Sequence, residues 1–386
     1  YFMISKVMEL LDVKADDLNE FSTTDSFNND HLLEGVICRK SDHRYGALVI
    51  FKINEEETRQ LIWATPKLDY PFDRAGNYHW PNVLQQEFYE KLDGTNILAY
   101  RYIYEGKSYI TYKTRLTAVV KDSGYSDFKS MWEEYTSKNP WVYECITGNP
   151  DWNLSFELFG SRNPITIKYD FPLDVNILFG IRQNDHIIRP PSGLILPDNA
   201  RIPARHTVFQ ETDLTSVYNS FREIASKRNT EELLTEGVVM YAHTGEPSWR
   251  MFKCKPEEIE KIHWTAYGVI PRNSLFTTGM NVFESSDNPT IDNFIELLKE
   301  EYPQDLITKN TFKIQKIWGE VCIRIEFIKS VNGVWKLAIE KGFDVTQDKR
   351  ETMRFVSQYF PKSIMSKVGE VILKQAGLMK NRPASR

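Results

Sequence analysis

Residues 90–96 read Glu90-Lys91-Leu92-Asp93-Gly94-Thr95-Asn96. Apolar side chains then alternate at Ile97, Ala99 and Ile103, and this two-residue period predicts a β-strand. Lys91 therefore lies just before the start of a strand, and an acid and a turn-forming glycine follow it. This placement suits a lysine amine that is held against a ligand. Because Lys-x-Asp-Gly alone also occurs in ordinary surface turns, the interpretation depends on further segments.

Four later segments complete the pattern. They are Phe156-Glu157-Leu158-Phe159-Gly160, Ile177-Leu178-Phe179-Gly180-Ile181-Arg182, Glu236-Gly237-Val238-Val239 and Phe252-Lys253-Cys254-Lys255. Together with the Lys91 stretch they resemble the collinear motifs of the covalent nucleotidyltransferases, which are the polynucleotide ligases and the RNA capping enzymes. The resemblance covers roughly residues 30–260. It is greatest with ATP-dependent RNA ligases, and within them with the phage-type RNA ligase 1-like branch.

Length and composition bound the class of protein. The chain has 386 residues, 41% of them apolar, which is enough for one or two domains with a real core. It has no run of about 18 apolar residues, so we expect no membrane span, and we see no signal peptide. The four cysteines are far apart and form no Cys-x-x-Cys pair, which predicts reduced thiols in a cytoplasmic protein and no zinc site. They are Cys38, Cys145, Cys254 and Cys322.

Charge is unevenly distributed along the chain. The net charge is −5, yet 15 Lys and Arg against 7 Asp and Glu give +8 from Thr311 to Arg386, which leaves −13 for the rest. A basic C-terminal part on an acidic body fits the binding of a polyanion such as nucleic acid. An ordinary solvated helix face would have the same composition, so the charge alone leaves both interpretations open.

The resemblance and the periodicity together predict an α+β fold. We expect a nucleotidyltransferase (ATP-grasp-like ligase) domain of antiparallel sheets with flanking helices over residues 1–270, and a mostly helical C-terminal domain over residues 290–386. Residues 271–289 are rich in Pro, Asn, Ser, Thr and Gly and predict a linker. Ser126 is expected to cap a helix, and Pro256 to start one.

Nucleotide transfer requires an amine that attacks an α-phosphorus while pyrophosphate leaves. A lysine amine is protonated at neutral pH, so a nucleophilic lysine needs nearby positive charge or burial. Other lysines and a magnesium ion beside the phosphates provide that charge and neutralise the transition state. Lys253 and Lys255 are two residues apart in a predicted strand, so their side chains face the same side. Alone, this pair would also fit the solvated face of an edge strand.

The resemblance implies a role for several of these residues. Lys91 is expected to form a covalent lysyl-AMP, assisted by Lys253 and Lys255, and Asp93 to help the 3′-hydroxyl attack during sealing. Glu236 is expected to bind Mg²⁺ or Mn²⁺, because hard cations prefer oxygen ligands. The residues expected to contact ATP are Glu90, Leu92, Asn96, Glu157, Phe179, Val238 and Lys67.

Five of these nucleotide contacts have specific expected partners. The main chain at Leu92 is expected to contact the adenine ring. Glu157 is expected to hold a ribose hydroxyl. Phe179 is the expected aromatic platform for adenine, and Val238 is expected to close the opposite face. Lys67, in the segment Pro66-Lys67-Leu68-Asp69-Tyr70-Pro71-Phe72, is expected to reach the leaving pyrophosphate.

Two segments depart from the family pattern. Lys113-Thr114-Arg115 resembles a segment that touches the nucleic-acid backbone, so Lys113 and Arg115 are expected RNA contacts, but Leu116 replaces the usual glycine. Glu34 stands where an arginine is usual, which leaves the role of that position open.

These features predict an ATP-dependent RNA ligase that adenylylates an RNA 5′-phosphate and joins it to a 3′-hydroxyl. It would use ATP and Mg²⁺ or Mn²⁺, act on RNA as a monomer, and need no membrane. A DNA ligase or a GTP-dependent mRNA guanylyltransferase would normally carry a β-barrel after the second lysine pair, where helices are predicted here. A non-catalytic RNA-binding relative would be expected to lack Lys91, Glu236 or Lys253, and all three are present.

Overall fold

The computed structural model describes residues 2–73, 76–123, 126–163, 167, 169–207, 213–230, 236–255, 269–270, 272–376 and 378. Within them the chain has an α+β fold with antiparallel sheets and a helical C-terminal region, so the predicted fold class is confirmed. No described helix combines the length and apolar character that a bilayer crossing needs.

The strands lie in the first two thirds of the chain and the helices dominate the last third. The strands are β1 (Leu18–Asp25), β2 (His31–Cys38), β3 (Leu48–Ile53), β4 (Glu56–Ile62), β5 (Gln85–Glu90), β6 (Thr95–Tyr104), β7 (Lys107–Lys113), β8 (Trp152–Phe159), β9 (Asp174–Arg182), β10 (Ile188–Arg189), β11 (Arg205–His206), β12 (Val238–His243) and β13 (Arg250–Cys254). The helices are α1 (Phe2–Leu11), α2 (Phe128–Lys138), α3 (Trp141–Gly148), α4 (Leu214–Thr230), α5 (Arg272–Ser285), α6 (Ile291–Glu301), α7 (Gln304–Lys309), α8 (Thr311–Glu340), α9 (Lys349–Val356) and α10 (Met365–Gln375).

Three antiparallel sheets build the body among the described residues. Their strand orders are β1-β2-β3-β4, β10-β9-β8-β6-β7 and β11-β5-β12-β13. One apolar cluster joins all three sheets, since it contains Val49 from the first, Phe179 from the second and Tyr241 from the third. The connection from β5 to β6 passes from the third sheet to the second, and it contains Lys91. The Lys91 stretch therefore lies at the junction of two sheets.

Alternation along β8 gives the second sheet an apolar face and a polar face. Leu154, Phe156 and Leu158 pack against α2 and α3 in a second apolar cluster. Ser155 and Glu157 point to the other side, because successive residues of a strand face opposite ways. Burial of the apolar face thus fixes which side of the sheet carries the polar groups.

A β-bulge in β9 changes its alternation. Ser155 pairs with Phe179 whereas Phe156 pairs with Ile177, so Leu178 is an extra residue in β9. Ile177 faces α2 and α3, whereas Phe179 belongs to the cluster on the opposite face. The bulge therefore directs two consecutive side chains, Leu178 and Phe179, away from α2 and α3.

The helical region starts earlier than composition predicted. The expected linker over 271–289 contains α5, whose Leu275 and Val282 are fully buried against α6 and α8. The polar composition was misleading because the apolar residues of α5 are few but all face inward. The division into domains stays a prediction.

Two helix boundaries differ from the expectation or fall outside the described residues. Asp127, not Ser126, occupies the N-cap position of α2, and it makes no side-chain capping bond. Pro256, expected to start a helix, is outside the described part of the chain.

Candidate active site

A cavity of about 540 Å³ lies between the body and the helical region. Its size falls in the range of about 300–1,000 Å³ that is usual for sites of small molecules. The Lys91 stretch, β8, β9, β12 and β13 form one wall, and α5 and α6 form the other. The helical region is thus part of the candidate site.

Lys91 follows the last residue of β5 and is held there by Glu236 and Gly237, which come just before β12. Its main-chain N–H donates to the carbonyl of Gly237 at 2.9 Å, and its Nζ lies 2.5 Å from Oε2 of Glu236. Gly237 has a φ of +121°, and a Cβ there would lie 2.0 Å from the carbonyl oxygen of Cys254. Only glycine fits this position, and it places Glu236 directly beside the lysine amine.

Lys253 and Lys255 bring two more cations to the cavity. Both line it, while Phe252 and Cys254 pack on the opposite face of β13. Their side chains are only 4% and 13% exposed. Lys255 Nζ lies 3.7 Å from Oε1 of Glu236, so this carboxylate is shared by Lys91 and Lys255. Three lysines from two chain segments thus converge on one site.

Val239, and not the predicted Val238, lines the cavity wall. Val238 pairs with Cys254 and packs with Phe88 and Tyr218 under α4, away from the cavity. Val239 pairs with Lys253 and lines the cavity. Directly paired residues of an antiparallel ladder share a face, so the residue opposite Lys253 is the one that faces the ligand space. The expectation that Val238 closes the adenine face is therefore corrected.

Aromatic side chains form the apolar end of the cavity. Phe179 and Tyr241 line it with their ring centroids 6.4 Å apart, and Tyr89 lies 5.5 Å from Tyr241 in an edge-to-face arrangement. The Tyr241 hydroxyl donates to the carbonyl of Leu178 at 2.9 Å, which fixes the bulge of β9 against β12. This wall can accept a flat apolar surface such as a purine.

Two acidic groups lie beside Lys91 on the β6 and β8 side. Oε1 of Glu157 accepts from the N–H of Gly94 at 3.0 Å. Burial raises the pKa of the Glu157 carboxyl to about 8, and nearby carboxylates, including Glu236, add to the shift while Lys91 opposes it. Oδ2 of Asp93 accepts from the N–H of Ile167 at 2.6 Å. Both acids line the cavity.

Asn96 lines the cavity but its amide is engaged with the protein. Its Nδ2 donates to Ser155 Oγ at 2.8 Å, and its Oδ1 accepts from Thr65 at 2.7 Å. This network joins Thr65, in the segment after β4, to β6 and β8 of the second sheet. The remaining predicted residues on the cavity wall are Glu90, Leu92 and Arg115.

Besides Val238, two further predicted residues do not lie on the cavity. Lys113 is 1% exposed, and its Nζ donates to the carbonyls of Thr114 at 2.8 Å and Arg115 at 3.0 Å. The burial of this amine does not fit the direct RNA contact expected for Lys113, and its hydrogen bonds hold the main chain at Thr114 and Arg115. Lys67 lines a separate, smaller cavity, and its Nζ donates to the carbonyl of Lys299 at 2.9 Å.

The sequence did not indicate two residues that contact the lysine pair. Glu301, at the end of α6, places Oε1 2.8 Å from Lys253 Nζ and 3.1 Å from Lys255 Nζ. Tyr70 has its ring 4.6 Å from Lys253 Nζ. Tyr70 lies in the quoted segment around Lys67 and could have been found there. Glu301 had no local signal, since only tertiary packing brings α6 to β13.

The described residues include no group of three or more His, Cys, Asp or Glu side chains that could hold a metal ion by themselves. Mg²⁺ commonly binds one or two carboxylates together with substrate phosphates. Glu236 could supply one carboxylate beside the lysines. The residues present therefore fit a metal that arrives with a phosphate ligand and do not fit a preformed metal cage.

Comparisons with known proteins locate similar structures only. No family model matches the chain, and no curated protein matches it. An archaeal ATP-dependent RNA ligase (form 2) matches with a TM-score of 0.45 and 14% identity over 86% of this chain and 79% of the other. A candidate ATP-dependent DNA ligase from Aquifex aeolicus matches with a TM-score of 0.42 and 15% identity over 86% and 80%.

A third similar structure covers less of the chain. The RNA ligase of Naegleria gruberi with pyrophosphate matches with a TM-score of 0.32 and 10% identity over 64% of this chain and 98% of the other. All three TM-scores are below 0.5. They do not transfer an activity to this protein, so its function is argued from the cavity and its residues.

Proposed function

We propose that this protein is an ATP-dependent RNA ligase that uses Lys91 as its nucleophile. The observation that carries the proposal is the convergence of Lys91, Lys253 and Lys255 on one cavity with an aromatic wall. Three buried or half-buried cations suit a triphosphate, and the aromatic end suits a purine.

In the first step Nζ of Lys91 attacks the α-phosphorus of ATP. A phosphorus–nitrogen bond forms, the bond to the bridging oxygen breaks, and pyrophosphate leaves with the bond electrons. Glu236, 2.5 Å from Nζ, orients the amine and can accept its proton. Lys253 and Lys255 oppose the negative charge that grows on the phosphate oxygens. A bound Mg²⁺ would add Lewis-acid stabilisation of the same charge.

In the later steps the AMP moves to an RNA 5′-phosphate, and a 3′-hydroxyl then displaces AMP to form the phosphodiester bond. Asp93 lies on the cavity wall two residues after Lys91, and in this proposal it assists the attack of the 3′-hydroxyl. Its carboxylate is tied to the N–H of Ile167, which restricts its orientation. Glu157, on β8, would bind a hydroxyl of the nucleotide, and its Oε1 already accepts from the N–H of Gly94.

RNA is the preferred nucleic acid in this proposal because of the helical region. The described residues from Arg272 to Gln375 form helices and no strand. DNA ligases and capping enzymes would normally have a β-barrel after the second lysine pair. The phage-type RNA ligase branch stays a prediction, as do Mg²⁺ or Mn²⁺ as the metal and the monomeric state.

The direct test is transfer of label from α-phosphate-labelled ATP to the protein. We expect an acid-labile, base-stable adduct that survives denaturing electrophoresis in the presence of magnesium. Lys91→Ala should abolish it, whereas Lys107→Ala, an exposed lysine at the start of β7, should not. Labelling of the Lys91 variant, or labelling by GTP alone, would contradict the proposal.

The joining reaction needs its own assay. A 5′-phosphorylated RNA and an RNA with a 3′-hydroxyl should yield a joined product with ATP, and matched DNA strands should be joined more slowly. Equal sealing of DNA would favour a DNA ligase and would exclude the RNA preference proposed for the helical region.

A further inference from the structure

The C-terminal end of α6 is inserted among the cations of the candidate active site. Oε1 of Glu301 lies 2.8 Å from Lys253 Nζ and 3.1 Å from Lys255 Nζ, while Oε2 accepts from the Tyr70 hydroxyl at 3.2 Å. Tyr70 also places its ring 4.6 Å from Lys253 Nζ. One carboxylate thus contacts two lysines and a tyrosine, which come from two parts of the chain.

A second contact adds to the negative charge at this end of the helix. Lys67 Nζ donates at 2.9 Å to the carbonyl of Lys299, which is two residues before the end of α6. The last carbonyls of a helix have no partner within it and carry the negative end of the helix dipole. The helix end therefore presents a carboxylate and a carbonyl to Lys67, Lys253 and Lys255, the three lysines that resemblance assigns to phosphates.

These contacts are well shielded from water. The side chains of Lys253, Lys255 and Glu301 are 4%, 13% and 22% exposed. Ion pairs in such surroundings are stronger than surface pairs, and a second anion brought to the same lysines would meet the Glu301 carboxylate at short range. A phosphate group and Glu301 cannot both take the position between the two amines.

We propose that the end of α6 is an autoinhibitory plug, in which Glu301 competes with the nucleotide phosphates for Lys253 and Lys255. The inference rests on the proposed function and extends it to regulation of the same site. ATP must displace the carboxylate, so the end of α6 moves away from β13 when the triphosphate binds. Departure of pyrophosphate frees the lysines, and Glu301 returns to them. The helical region thereby senses whether the phosphate site is filled.

Other contacts of the helical region are positioned to persist when the plug leaves. Leu116 N–H donates to the carbonyl of Ser285 at 2.6 Å, and Lys121 Nζ lies 2.6 Å from Asp287. Both contacts lie just before the first residue of α6, at the end opposite Glu301. They hold the start of α6 near the body while its C-terminal end exchanges places with phosphate.

The test compares Glu301→Gln with Glu296→Gln, a control on the same helix that removes a pair with Lys299. Binding of inorganic triphosphate is measured by calorimetry on a Lys91→Ala background, which removes the nucleophile. We expect Glu301→Gln to tighten binding about tenfold, within the usual range for coupled sites, and Glu296→Gln to leave it unchanged. Unchanged or weaker binding in Glu301→Gln would overturn the plug. A carboxylate that only positions the lysines would help triphosphate bind, so its removal would not tighten binding.

A second variant and a second measurement guard against a folding defect. Tyr70→Phe removes the hydroxyl donor to Glu301 but keeps the ring beside Lys253, so triphosphate binding should tighten in the same direction by a smaller factor. Hydrogen exchange of residues 291–301 should accelerate when triphosphate is added to the wild-type chain. Equal exchange with and without triphosphate would also overturn the proposal.

The two proposals fail separately. If triphosphate binds more tightly to Glu301→Gln but no label from ATP reaches Lys91, the plug stands and the ligase function fails. If label reaches Lys91 but Glu301→Gln binds triphosphate no better than the wild type, the ligase function stands and the plug fails.

Discussion

Lys91 Nζ lies 2.5 Å from Oε2 of Glu236, although 145 residues separate them in the sequence. The contact exists because the chain after β5 continues along the start of β12, where Lys91 N–H donates to the carbonyl of Gly237. One main-chain hydrogen bond therefore sets the distance between a nucleophile and a carboxylate. Replacing either side chain should affect the chemistry far more than the fold.

Glu236→Gln should lower the rate of AMP uptake roughly 100-fold or more, because the carboxylate orients the amine and can take its proton. The rate is measured with labelled ATP under single-turnover conditions, and circular dichroism checks the fold. Glu246→Gln, an exposed acid between β12 and β13, is the control. AMP uptake near the wild-type rate in a folded Glu236 variant would exclude this residue from the site.

Val239→Ala should affect ATP binding, whereas Val238→Ala should affect the stability of the fold. Val239 lines the cavity, so its truncation should weaken ATP binding about fivefold or more, as expected for lost apolar contact with a ligand. Val238 packs under α4, so its truncation should lower the free energy of unfolding by about 1–2 kcal/mol with little change in the KM for ATP. Titration of ATP and denaturant melts of both variants separate the two effects. The reverse pattern would restore Val238 to the nucleotide site.

Glu157 should make stability fall as the pH rises. Its pKa is raised from 4.5 to about 8 by burial, so the folded state holds a proton that the unfolded state releases between these values. Ionising the buried carboxyl lowers the free energy of unfolding by on the order of a few kcal/mol. This loss is absent below about pH 4.5 and complete above about pH 8. Glu157→Gln should therefore gain stability relative to the wild type across this range. If denaturant melts show the same difference in free energy of unfolding between the wild type and Glu157→Gln at pH 5 and at pH 9, the Glu157 carboxyl is not buried as the structure shows.

Lys113 should show the opposite dependence. Burial lowers its pKa from 10.5 to about 7, so the unfolded state binds the extra proton between these values and stability rises with pH. Relative to Lys113→Met, the wild type should gain stability from about pH 7 to pH 10. The variant should bind RNA as well as the wild type where both are folded. A selective loss of RNA affinity would instead support the direct contact that the sequence predicted.

The basic C-terminal part should govern RNA affinity and its salt dependence. Lys316 and Lys341 are exposed at the two ends of α8. Changing both to Gln should leave AMP uptake intact but weaken RNA binding, with the slope of log K against log salt reduced by about 1.4 for two lost contacts to single-stranded RNA. Lys107→Gln on β7 is the control. An unchanged slope would make this charge an ordinary solvated surface.

Much of the fold was predictable where a strand or helix buries an apolar face. The strand β6 was predicted from the alternation of Ile97, Ala99 and Ile103, and the helices of the C-terminal region from their periodicity. The strands β1 and β4 were missed because they are the edges of the first sheet and carry polar residues such as Asn19, Glu20 and Arg59. Edge strands are commonly polar, which removes the alternation that identifies them.

The candidate site was predictable to the extent that it follows from local pattern. The spacing of Lys253 and Lys255 placed both on one face, and the same reasoning extended across the ladder would have selected Val239. The burial of Lys113 and the contact of Glu301 could not be found in this way. Both depend on how distant segments pack, and the local sequence around Glu301 resembles any acidic helix end.

The bulge at Leu178 makes β9 tolerant of a change in length. The ladder with β8 is regular on both sides of this residue, and Phe179 already lies opposite Ser155. Deleting Leu178 would join Ile177 to Phe179 in ordinary alternation, so every remaining pair could keep its partner. Two proteins that differ by one residue at this point could therefore present the same aromatic side chain to the nucleotide. A gap placed elsewhere in an alignment would assign the whole strand to the wrong face.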